Sequence, residues 1–212
     1  MLVLRKGLRR AVGQGQVAAA ARSFRPPVDE RTVAPETVRL VRADMADRDV
    51  LANLMQLYRH DLAEFRGYTL GEDGTYAYPY LDANLAEPDR EVYLIRAEES
   101  LVGFTTLRRL PDGAWQVSEF FVVRPYRRRG VGRIALDKAI GLHRGTWTCF
   151  VDQLNDTSLR MCSNVATEAS GQDPETRTGV SALGFAGTVL RFDVPEPPAA
   201  KAAASEPGTT GC

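Results

Sequence analysis

Phe120-Phe121-Val122-Val123-Arg124-Pro125-Tyr126-Arg127-Arg128-Arg129-Gly130-Val131-Gly132 is the stretch on which the fold turns. Its four leading apolar residues read as a buried strand. Pro125 ends that strand, because proline has no N–H for a ladder and restrains the residue before it. Val131, Ala135, Ala139 and Leu142 then recur at helical spacing, so the two glycines sit where a strand hands the chain to a helix. The first turn of a helix carries unpaired N–H groups and partial positive charge, and it binds phosphate when nothing bulky blocks the approach. Gly130 and Gly132 supply that clearance, and Arg127, Arg128, Arg129 and Arg133 supply fixed charge suited to several phosphates. Like charges crowded at a helix end that disfavours cations are a local conflict, expected where a ligand brings the compensating anion.

Upstream lie short β-rich runs, Val92 to Ala97, Leu101 to Leu107 and Trp115 to Val123, separated by Glu98-Glu99-Ser100 and Pro111-Asp112-Gly113. Connections this short require antiparallel neighbours. Earlier still, Val38 to Val41 reads as a strand. It is followed by a helix that Asp44 or Asp47 can cap and that places Leu51, Leu54, Met55 and Tyr58 on one buried face. Gly67 to Gly74 is a polar, glycine-rich loop, after which Tyr76, Tyr78 and Tyr80 form either packing or the wall of a substrate site. Downstream, Thr146 to Val151 is a strand, Asp156 to about Ala169 a helix, and Gly187 to Val194 a last strand. The expected fold is α/β of the α+β kind: a mixed central sheet whose antiparallel meander feeds one β-loop-α unit.

A rival reading is the dinucleotide fingerprint, since Gly130 to Ala135 satisfies G-x-G-x-x-A and Asp152 stands near where a ribose-binding acid belongs. In that fold the first glycine follows the strand almost at once and the sheet is parallel. Here Arg124 to Arg129 intervene and hairpin-linked strands come first, so an oxidoreductase reading ranks second.

The 212 residues carry 27 basic and 27 acidic side chains, with 44% apolar content. A balanced charge of this kind gives no global attraction to nucleic acid or to an anionic membrane. Residues 1 to 28 hold six of the basic groups and no acid, which leaves a mildly acidic remainder of 21 against 27. That start has some transit-peptide character, but its composition fits a disordered extension better. The tail from Pro195 is too poor in large apolar groups to offset the entropy of ordering it. The expected organisation is an extension over 1–36, one domain over 37–194 and a tail over 195–212. No apolar run approaches a membrane span or a secretory signal, so a cytoplasmic protein is expected. Cys149, Cys162 and Cys212 are odd in number and lack ligand spacing, and His60 and His143 lie far from them, so no metal site is expected.

Val123-Arg-Pro-Tyr-Arg-Arg-Arg-Gly-Val-Gly132 resembles the acetyl-CoA signature of the GNAT acetyltransferases, written Q/R-x-x-G-x-G/A after a strand. Arg127, Gly130 and Gly132 fill its fixed positions, the element order is similar from Thr37 to Val194, and Leu183-Gly184-Phe185 resembles the Leu-Gly-Phe that precedes the family's last strand. Residues 58 to 82 also look like a poorly characterised bacterial subgroup of that family. The resemblance implies an N-acyltransferase that takes acetyl from acetyl-CoA, or another acyl-CoA, to a small-molecule or peptide amine. Backbone groups of Phe121, Val122 and Val123 would align the pantetheine arm, and Arg128, Arg129, Gly130, Val131, Gly132 and Arg133 would wrap the pyrophosphate. Asn155 matches the asparagine that contacts the arm, although it also reads as a helix cap beside Asp156. Many members place a tyrosine seven residues further on to protonate the leaving thiolate. This chain has Cys162 there, a weaker donor, which leaves a CoA-binding regulatory module as an alternative. Acyl transfer needs a neutral amine, and Glu119, an acid leading into an apolar strand, is the candidate base. The acceptor and the oligomeric state, a homodimer included, are not legible at this stage.

Overall fold

A computed structural model of the chain describes residues 32–181 and 183–196, and the expected basic extension before residue 32 and most of the tail lie outside them. In chain order the elements are β1 (Val38–Arg42), α1 (Arg48–Arg66), α2 (Leu81–Ala86), β2 (Arg90–Ala97), β3 (Ser100–Arg109), β4 (Trp115–Val122), α3 (Val131–Ile140), β5 (Gly145–Asp152), α4 (Asp156–Ser170), β6 (Glu175–Val180) and β7 (Ala186–Val194). The strands form one mixed sheet in the order β1-β2-β3-β4-β5-β7-β6. β1 to β4 are an antiparallel meander, β4 and β5 the parallel pair, and β5-β7-β6 antiparallel again.

The alternation of strand side chains gives the sheet two buried faces. On one, α1 lays Leu51, Leu54, Met55, Tyr58 and Leu62 over Val92, Leu94, Phe104 and Phe121. Each such side chain removed from water is worth about 1.5–3 kcal/mol, and truncating Met55 to Ala would cost roughly 2–5 kcal/mol. On the other face α3 and α4 pack Leu136, Ile140, Val165 and Ala166 over Trp147, Cys149, Leu190 and Phe192. Asp44 starts the first helical run. Its carboxylate accepts the Ala46 N–H at 2.8 Å and, with Asp47, forms a capping box around the 3-10 turn Met45–Asp47 that leads into α1.

Three features differ from the sequence reading. α2 has six residues, too few for a periodic pattern to show. β6, reading Glu-Thr-Arg-Thr-Gly-Val, is an edge strand exposed along almost its whole length, so it lacks the apolar alternation that marks a strand. α3 stops at Ile140 with Gly141 as its cap, and Leu142, expected on its buried face, is 42% exposed. Packing also begins before Thr37: Val33 is buried, and its N–H donates to the Arg129 carbonyl at 3.0 Å.

Candidate active site

β4 pairs with β5 only from Trp115 to Val117, against Trp147 to Cys149. Beyond that the two strands part, while the other edge of β4 stays paired to β3 up to Val122. Backbone direction alternates along a strand, so every second residue of the outer half of β4 turns its N–H and C=O into the gap. Phe121 and Val123 face β3. The Phe121 carbonyl lies so close to Gly103 that a Cβ there would meet it at 2.0 Å, and the Val123 N–H donates to the Val102 carbonyl at 2.8 Å. Phe120 and Val122 therefore face the gap. Of the three residues expected to align an extended ligand, Val122 is the one whose backbone is so placed, and Phe120 joins it. The alternation that reveals this was present in the sequence but could not be phased without the partner strand.

The glycine loop closes the wide end of the gap. Tyr126 ends a 3-10 turn over Arg124–Tyr126, and α3 starts at Val131 with Gly130 as its N-cap at φ 84° and no side-chain cap. Arg128 is also left-handed, at φ 61°. Such reversals of backbone handedness make the concavities that hold anions, and the uncapped first turn adds its N–H groups. The arginines divide. Arg127 donates from Nε to the Val122 carbonyl at 2.7 Å and pairs with Asp61, which also takes Arg124 at 2.8 Å. Burial pushes the Asp61 carboxyl up, but the bonds from Arg127 and Arg124 outweigh it and hold the group below its ordinary range. Arg129 turns inward over the Tyr126 ring, and Arg133 reaches Glu168 on α4 at 2.6 Å. Arg128 is exposed and makes no ion pair among the described residues. Part of the charge conflict is thus relieved inside the protein, by Asp61 and Glu168. At Gly132 a Cβ would meet Met161 Sδ at 3.3 Å and Phe120 at 3.9 Å, so its bareness also serves the approach of α3 to α4 and β4.

Glu119 lies where β4 leaves β5, on the α1 side. Its carboxylate accepts from Tyr58 Oη and, at 3.4 Å, from Tyr78 Oη. Tyr78 accepts in turn from Asn84 Nδ2 at 2.8 Å, and Asn84 Oδ1 accepts from Arg90 at 3.0 Å. Arg66 forms a bidentate pair with Asp152 at the end of β5, at 2.8 and 3.0 Å, which bridges α1 to the far side of the gap. Glu119 keeps some solvent access as a residue, but its carboxyl is enclosed, and burial raises its pKa against the opposing effects of Tyr58, Arg66 and Arg59. Burial, then Glu119, raise the Tyr58 phenol as well, so Tyr58 remains a donor at ordinary pH. A carboxylate with a raised pKa and two phenolic partners is fitted to accept a proton.

Cys162 lies on α4 against the core cluster of Trp147, Cys149 and Val165, and the nearness of Cys162, together with burial, pushes the Cys149 thiol up. The side chain of Asn155 caps α4, accepting the Ser158 N–H at 3.1 Å. His60 meets Tyr76 Oη at 3.1 Å. A small pocket of ≈ 160 Å³ opens beside Asp152, lined by Phe65, Gln153, Leu154, Phe185 and Ala186. The larger groove, ≈ 680 Å³, lies between β1 and the C-terminal end of α3. None of the residues just described lines it, so the candidate chemistry does not lie in that groove. Among the described residues no group of His, Cys, Asp or Glu is placed to hold a metal ion, and no helix is long and apolar enough to cross a membrane.

The model of the acetyltransferase (GNAT) family matches residues 54–163, from within α1 to the middle of α4. The chain belongs to the GNAT acetyltransferase family. Solved members agree in fold. An acetyltransferase from Thermus thermophilus is 17% identical over 74% of this chain and 97% of that one, with a TM-score of 0.54. A spermidine N-acetyltransferase from Vibrio cholerae, in complex with CoA and spermine, is 12% identical over 75% and 96%, with a TM-score of 0.53. AAC(6')-Ib in complex with paromomycin and acetyl-CoA is 13% identical over 74% and 93%, with a TM-score of 0.56. No curated protein sequence matches significantly. The sheet of this GNAT chain has a single parallel pair, and Asp152 is engaged by Arg66, so the dinucleotide reading finds neither its parallel sheet nor its free acid.

Proposed function

We propose that the chain transfers acetyl from acetyl-CoA to a primary amine by direct attack, with Glu119 as the base. The observation that carries this reading is a carboxylate of raised pKa at the point where β4 and β5 part, beside an extended backbone edge that faces the gap. The pantetheine arm would lie along Phe120 and Val122, with the pyrophosphate at the loop of Arg128, Gly130 and Val131. The amine nitrogen forms its bond to the thioester carbon as the carbon–sulfur bond breaks, and CoA leaves as a thiolate. Glu119 accepts the amine proton, directly or through water. A thiolate is a competent leaving group that solvent can protonate, so Cys162, packed against the core cluster on α4, need not serve as the acid. Arg127 acts by position: it braces the end of β4 and, through Asp61, joins the loop to α1.

Titration calorimetry of the full chain with acetyl-CoA and with NADH, followed by mass analysis of products from a mixed amine panel, tests this. Micromolar acetyl-CoA binding and acetylated amine are the expected results. Preference for NADH, or tight acetyl-CoA binding with no acetylated amine across the panel, would overturn it, the second in favour of a regulatory module.

A further inference from the structure

Arg59 follows Tyr58 on α1, and proton transfer at Glu119 leaves it without a task. It is only 7% exposed. Its guanidinium lies over the ring of Tyr68, with Cζ 3.6 Å from the centroid, and 5.8 Å from that of Tyr78, whose hydroxyl bonds Glu119. Nε is buried with no hydrogen-bond partner, and the terminal nitrogens, which keep some solvent access, make no side-chain ion pair among the described residues. The neighbouring arginines differ: Arg66 has Asp152 and Tyr68, and Arg90 has Glu87 and Asn84. Stacking on a ring covers the face of a guanidinium but leaves its edge donors unmet. A buried cation with unmade hydrogen bonds is strongly unfavourable, so a site that keeps one has a compensating group. Glu119 is not that group. Its oxygens take Tyr58 and Tyr78, and Arg59 acts on it only through space.

Resting on the acetyl-transfer reading, we propose that Arg59 is a carboxylate clamp near Glu119 and that the acceptor is a small amino acid. Its amine goes to Glu119 and its carboxylate to the edge of Arg59, the planar fork that carboxylates match best. The same fixed cation repels acceptors bearing several positive charges, so polyamines and aminoglycosides are poor ligands here.

The full-length protein saturated with CoA is titrated by calorimetry with glycine, β-alanine, γ-aminobutyrate and glutamate, each paired with its carboxamide. At least one acid is expected to bind tenfold or more tightly than its amide, and Arg59→Met to reduce that preference below twofold while CoA affinity stays unchanged. The wild-type comparison decides alone if Arg59→Met does not fold. No acid outbinding its amide, or a preference that survives in a folded Arg59→Met, overturns the proposal. Turnover of the same pairs separates the two claims. Acid preference in binding without acetylated product sinks the transfer reading and leaves the clamp, and equal acetylation of acid and amide does the reverse.

Discussion

Tyr58 tunes the Glu119 carboxyl. By donating to the carboxylate it favours the charged form, so it holds the pKa of Glu119 lower than burial alone would. Removing that donor in Tyr58→Phe should raise the Glu119 pKa further and move the ascending limb of the pH–rate profile to higher pH by about one to two units, since a hydrogen bond to a charged group is worth roughly 1.5–3 kcal/mol. An unmoved limb would place the proton transfer elsewhere. The stability linkage has the opposite sense to that of a salt-bridged acid. A carboxyl whose folded pKa is raised binds its proton more tightly in the folded state, so stability falls as pH climbs from the ordinary glutamate value through the raised one. Arg128 makes a comparable trade: left-handed backbone costs a non-glycine residue about 1–2 kcal/mol. Arg128→Gly should therefore melt no lower than wild type while binding acetyl-CoA several-fold more weakly and with a shallower salt dependence. Glu119 was legible as an acid leading into an apolar strand. Tyr58 was legible only as a core residue at helical spacing, and nothing in spacing could tell that a side chain 61 positions away would take its hydroxyl. Arg59, next to it in the chain, carried no sequence signal at all.

The loop from Arg124 to Gly132 joins a strand end, a 3-10 turn and a helix start, and its glycines do different work. Gly130 holds φ 84°, which an L side chain resists, and Gly132 holds α3 against Met161. Gly132→Ala should thus act first on packing: a loss of about 1 kcal/mol in denaturant melts, recovered in part when Met161 is shortened to Ala, with acetyl-CoA affinity changed less than threefold. A large affinity loss in a variant of unchanged stability would return Gly132 to the ligand's surface. The motif itself was legible because strand, proline, arginines and glycines are consecutive in sequence. The destinations of the arginines were not, because Asp61 and Glu168 come from helices far away in the chain. The same limit hid α2 and β6, one too short and the other too exposed to show a period.

The sheet as a whole explains why the site lies where it does: an antiparallel meander fixes one edge of β4, and three registered pairs with β5 leave the other edge open. That architecture was readable from hairpin-length connections followed by a single crossover. The divergence of the strands was not, since it arises from two edges that meet only in the folded chain. Residues 1–31 lack apolar periodicity, so deleting them should shift the melting temperature by less than about 2 °C. Extending the deletion through buried Val33 should lower it by roughly 5 °C. The proposed acyl transfer rests above all on Glu119 as the base. The decisive measurement is turnover with acetyl-CoA and an accepted amine, as a function of pH, for wild type and Glu119→Gln, with acetyl-CoA affinity measured alongside. The expected result is a loss on the order of a hundredfold at neutral pH, partly recovered where more of the amine is already neutral, at unchanged acetyl-CoA affinity. Equal turnover of the two proteins across the pH range would contradict it.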